Sequence, residues 1–108
     1  MIDLFLRVYV ECPNELKAQE FADNVNNQLG SHCDLSIFKI DKYWKIEGYF
    51  EVAFDLKIEH TNQIKQLLNL LGSGWEVVSP DREYLWNTSD SSSFMSNQVR
   101  WAHLEKIE

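Results

Sequence analysis

KIEGYFEVAFDLKI, residues 45–58, alternates without a break. Ile46, Gly48, Phe50, Val52, Phe54, Leu56 and Ile58 fall on one side; Glu47, Tyr49, Glu51, Ala53, Asp55 and Lys57 fall on the other. Strand side chains point alternately to two faces, so a period of two predicts one long strand with an apolar face in a core and a polar face in water.

The rest of the chain fits around that strand. Residues 2–11 alternate in the same way, with Ile2, Leu4, Leu6, Val8 and Val10 against Asp3, Phe5, Arg7, Tyr9 and Glu11. Pro13 opens a helix whose inner stripe is Ala18, Phe21, Ala22, Val25 and Leu29, and Gly30 stops it. A second strand is expected from about Cys33 to Ile40, followed by a turn at DKYW. Thr61 is placed to cap a second helix with Ile64, Leu67, Leu68 and Leu71 inward and Gly72 at its end. WEVV (75–78) reads as a fourth strand, YLW (84–86) as the start of a fifth and VRWAHLEKI (99–107) as the last; NTSDSSSFMSNQ (87–98) reads as a polar loop.

The order strand-helix-strand-strand-helix-strand is the split βαβ, or ferredoxin-like, plan. The expected class is α+β: a βαββαβ antiparallel sheet with both helices on one face, in a single domain. Residues 1–78 form its core, and residues 79–108 extend the sheet as a C-terminal β-hairpin. In this plan the first and third strands are central neighbours and the fourth lies beside the first.

Length and charge narrow the function. At 108 residues, 44% hydrophobic, the chain supports one ordinary core. Its net charge of −7, from 17 acids and 10 bases, opposes non-specific binding to nucleic acid and to anionic membranes. The excess acid lies toward the two ends of the chain. Met1 leads directly into IDLFLRVYV without a basic leader, and no apolar run approaches the roughly 20 residues of a membrane span. A cytoplasmic protein with no membrane association is the expectation. Cys12 and Cys33 are then reduced thiols, at opposite ends of the sheet.

With the helices on one face, the other face shows Phe5, Arg7 and Tyr9 from the first strand and Glu47, Tyr49 and Glu51 from the third. The stretch Glu47–Phe54 resembles the longer motif of RNA-recognition domains, in which a basic residue meets phosphate and exposed aromatics stack on bases. Gly48, Tyr49, Val52 and Phe54 match it. Glu47 stands where the basic residue belongs, and Glu51 where a stacking aromatic belongs. Carboxylates repel phosphate, so nucleic-acid binding is set aside. Acids flanking aromatics suit a basic protein surface instead, the rings as anchors and the acids for steering. The candidate contact residues are Phe5, Tyr9, Glu47, Tyr49 and Glu51; an ordinary solvated sheet face is the plainer alternative. The outer face of the first helix, with Leu16, Glu20 and Asp23, is the second candidate.

Chemistry finds no foothold. His32, Cys33 and Asp34 are consecutive, and consecutive strand residues point to opposite faces. No Gly-rich phosphate loop is present, no His or Cys pair has metal-ligand spacing, and the carboxylates are scattered. The chain is expected to be no enzyme and to hold no metal or cofactor.

Small size, acidity, richness in Trp, an α+β pattern and the ending QVRWAHLEKIE give the whole chain its texture. In these it resembles the small immunity proteins encoded beside bacterial polymorphic toxins, including those of contact-dependent growth inhibition systems. The resemblance implies a cytoplasmic toxin inhibitor acting by protein–protein interaction: it neutralises one cognate toxin, often a basic nuclease domain, by occluding its active site. It carries no invariant motif and transfers no site residue. The alternative is a homodimeric ferredoxin-like domain that binds a small ligand or regulates, using the same aromatic face.

Overall fold

The computed structural model describes residues 1–107 of the 108. Its elements in chain order are β1 (Ile2–Glu11), α1 (Glu15–Leu29), β2 (Asp34–Lys42), β3 (Tyr49–Ile58), α2 (Gln63–Leu71), β4 (Gly72–Ser73), β5 (Glu76–Ser79), β6 (Glu83–Asn87), β7 (Ser93–Phe94) and β8 (Val99–Ile107).

Local periodicity decides what is buried. Leu4, Leu6, Val8 and Val10 of β1 and Phe50, Val52, Phe54, Leu56 and Ile58 of β3 are all buried. The predicted stripes of α1 and α2 enter the same cluster, so both helices cover one face of the sheet. Asn14 caps α1 by accepting the Lys17 N–H at 3.0 Å, which puts Pro13 just before the helix and not in its first turn. At α2 the expected Thr61 cap is replaced: Gln63 Oε1 reaches back to accept the N–H groups of Glu59 (2.9 Å) and His60 (2.8 Å).

β3 is shorter than the alternation suggests. Residues 45–48 form a turn closed by Tyr43 N–H to Tyr49 O (2.9 Å) and Tyr49 N–H to Ile46 O (3.3 Å). Gly48 has φ +84, where a side chain is strained. Ile46 and Glu47 are therefore exposed turn residues and not part of the strand.

One six-stranded sheet runs in the order β2-β3-β1-β8-β6-β5, each neighbouring pair antiparallel. The fold is thus a small α+β globule with two helices on an antiparallel sheet. The seat beside β1 goes to β8 and not to the strand expected at 75–78, which forms the far edge as β5, Glu76–Ser79. Length explains this. Nine-residue β8 pairs with β1 from Asp3 to Val10, whereas a four-residue strand there leaves most of that edge of β1 without partners.

The serine-rich stretch is more ordered than its composition suggests. β7 pairs with β4 in a second, two-stranded sheet, close enough that a Cβ on Gly72 would lie 2.3 Å from the Ser93 carbonyl oxygen. Phe94 packs edge-on against Trp86 at 5.0 Å, and Trp86 donates its indole N–H to Ser73 O at 2.8 Å.

Candidate functional site

Strand register sets out the open face row by row. Across the middle, Lys39, Ala53, Arg7, His103, Leu85 and Glu76 are successive partners from β2 to β5. On one side of that row run Asp41, Glu51, Tyr9, Trp101 and Asn87, and on the other Ser36, Asp55, Phe5, Glu105 and Glu83.

Two hydrogen-bonded networks hold the centre. Tyr9 donates its hydroxyl to Glu51 at 2.6 Å, and Lys39 Nζ lies 2.8 Å from the other carboxylate oxygen. Burial pushes the Tyr9 phenol far above its ordinary value, and the Glu51 hydrogen bond and charge add to that, so it stays a donor. Burial also acts to raise Glu51, but the hydrogen bonds from Lys39 and Tyr9, with the charges of Lys39 and Arg7, outweigh it and hold the carboxyl below its usual range. Lys39 is raised by the same hydrogen bond and charge.

A depressed carboxyl stabilises the fold fully above the ordinary carboxylate pKa and loses that contribution as the pH falls through the folded-state value. Glu51→Gln is therefore expected to cost about 1–2 kcal/mol at neutral pH. The urea midpoints of the two proteins should converge as the pH falls through the folded-state value of that carboxyl, below the ordinary carboxylate range.

The second network runs through His103, which is buried despite facing the open side. Arg7 lies 3.1 Å from Nδ1 and Glu83 2.7 Å from Nε2. Arginine only donates, so Nδ1 accepts and the proton sits on Nε2, facing Glu83. Both ring nitrogens are committed, which leaves neither for a general base. Arg7 also approaches Glu105 at 3.7 Å.

Aromatic rings complete the face. Tyr9 stacks on Trp101 with centroids 3.9 Å apart, and Tyr43 packs edge-on against both, at 4.8 and 5.5 Å. A β-bulge between Ile37 and Lys39 turns Phe38 over Phe5 at 5.4 Å. Trp44, in the turn after β2, is 82% exposed.

The predicted contact residues separate on this surface. Phe5 is half-buried beneath Phe38, Tyr9 is buried beneath its neighbours, and Glu51 is half-buried within its network. Tyr49 lies at the end of the face opposite Glu11. Glu47 leaves the sheet with its turn and, with Tyr43 and Tyr49, lines a cleft of about 250 Å³ at the sheet end. On α1, Leu16, Glu20 and Asp23 are exposed as expected; Glu20 pairs with Lys17 and Asp23 accepts from Gln19. Sequence reasoning did not place Phe38, Tyr43, Trp101 or His103 among the contact residues. Alternation along residues 99–107 was the available signal for the last two, but only the seating of β8 beside β1 brings them to Tyr9 and Arg7.

Charge is concentrated here. The open rows carry nine carboxylates (Asp3, Glu11, Asp34, Asp41, Glu51, Asp55, Glu76, Glu83 and Glu105) and four bases (Arg7, Lys39, Lys57 and Arg100), a net of −5 out of −7 for the chain. Cys12 and Cys33 are free and flank opposite ends of the sheet. Burial raises both thiols, and with Asp34 nearby Cys33 is pushed up to about 11, so neither is a thiolate at neutral pH. Among the described residues no helix is long and apolar enough to cross a membrane. Compared with protein-family models, curated proteins and solved structures, the chain matches none.

Proposed function

We propose that this protein is an inhibitor that works by binding, docking a basic protein domain on the open face of its sheet. Following the resemblance to toxin-immunity proteins, its partner is a cognate toxin domain, a basic nuclease by charge, held in the cytoplasm with its active site covered. The observation that carries this reading is the uncovered sheet face with a net charge of −5 around a preorganised aromatic cluster. Internal hydrogen bonds already hold Tyr9, Glu51 and Lys39 in place, so binding loses less side-chain entropy there. The homodimer alternative sets this face against its own copy, acid against acid, and the charge disfavours it. The finer fold reading is a ferredoxin-like frame in which β8 takes the fourth strand's seat, supported by the order β2-β3-β1-β8.

A lasting block requires about nanomolar affinity, near −12 kcal/mol, over an interface of roughly 1,600 Å². The test is calorimetric titration of the C-terminal domain encoded immediately upstream. One-to-one nanomolar binding with loss of that domain's toxicity is expected. Absence of heat at tens of micromolar would sink the proposal.

A further inference from the structure

The two edges of the large sheet are built differently. Both edge strands carry a bulge, but β5 has only four residues and Pro80 directly after it, features that discourage strand addition. β2 has nine residues. Beyond its ladder with β3, no backbone N–H or C=O of residues 34–42 makes a hydrogen bond among the described residues. A lysine often guards such an edge; of the two in β2, Lys39 is turned over the open face onto Glu51 and Lys42 is exposed at the strand's last residue, which leaves the middle of the edge without one. Phe38 is 59% exposed, and Ile37 is exposed on the opposite side of the strand.

We propose that β2 receives an extended segment of a basic partner protein as a seventh strand, main-chain hydrogen bonds supplying affinity and Phe38 a side-chain anchor. This deepens the reading of the open face as a docking site for a basic protein and rests on it. Charge selects the occupant. Asp34 and Asp41 face the open side near the two ends of β2, opposite Lys57 and Glu51, and neither they nor Asp55 forms an ion pair among the described residues. A second copy is disfavoured. The antiparallel self-pairing that keeps the open-side rows matched across the bulge sets Asp34 of each chain against Asp41 of the other, twice over. An incoming strand with Lys or Arg at alternate positions meets both aspartates with opposite charge.

The test uses an acetylated, amidated nonapeptide alternating Lys and Val, followed by amide chemical shifts of the whole protein at low salt. Two isomers of equal charge, N-methylated at the odd or at the even residues, each block one edge of the peptide. The expected result is shifts along residues 34–42 with the plain peptide and binding at least tenfold weaker for one isomer. Phe38→Lys is expected to weaken the plain peptide by a similar factor. Equal binding of all three peptides, with shifts centred on Asp55 and Glu105, would overturn strand addition while leaving the open-face reading intact. No shift anywhere at millimolar peptide would overturn both.

Discussion

Phe54→Ala is expected to lower the unfolding free energy by about 3–5 kcal/mol, the usual cost of truncating a fully buried Phe. Phe54 is 0% exposed and among the largest fully buried side chains; it sits between Leu6 of β1 and Ile37 of β2 in the sheet and beneath the helices. The loss combines the transfer free energy of the ring with the vacancy left where two central strands and an edge strand meet. A domain of this kind has about 5–15 kcal/mol in total, so the variant should unfold at a much lower urea concentration, with an unchanged slope. Phe54→Leu, which keeps most of the volume, is the control and should lose far less. Equal midpoints for wild type and the alanine variant would mean that β3 does not face the core in this register.

The double reversal Asp3→Lys, Asp55→Lys is expected to slow association with the upstream-encoded basic domain by about 10–100-fold at low salt. The effect should nearly vanish at 1 M salt, where the screening length is about 3 Å. Both residues are exposed and lie on neighbouring strands of the open face, in the rows of Lys57 and Phe5. Neither takes part in the Tyr9–Glu51–Lys39 or Arg7–His103–Glu83 network, so the urea midpoint should barely change. The dissociation rate should also change little, because long-range charge acts mainly on encounter. Stopped-flow mixing across a salt series checks this. An unchanged association rate at low salt would place the docking surface elsewhere, with the outer face of α1 next in line.

Much of the architecture was legible from local pattern. The inner residues of both helices, the buried rows of β1 and β3 and the antiparallel sheet covered on one side follow from periods of 3.6 and 2, which depend only on backbone geometry near each residue. Glu47 marks where that reasoning failed. The alternation continues unbroken through residues 45–48, yet Gly48 adopts positive φ and the chain turns there, because the β2–β3 hairpin must close. Period alone does not distinguish a strand from an alternating turn.

The candidate site divides in the same way. Composition and alternation by themselves determined that Phe5, Tyr9, Tyr49 and Glu51 share a polar-facing side of two strands and that the chain is strongly acidic. Which strand stands beside β1 was decided only by tertiary structure, since β8 is remote in the chain and wins that seat by its length. That choice puts Trp101 on Tyr9 and His103 between Arg7 and Glu83. The bulge in β2, which lays Phe38 over Phe5, is likewise a property of the paired strands. Face and period are local quantities that each segment carries alone. Neighbour and register are set by competition among strands for the same backbone hydrogen bonds, and that competition is resolved only when the whole sheet has assembled.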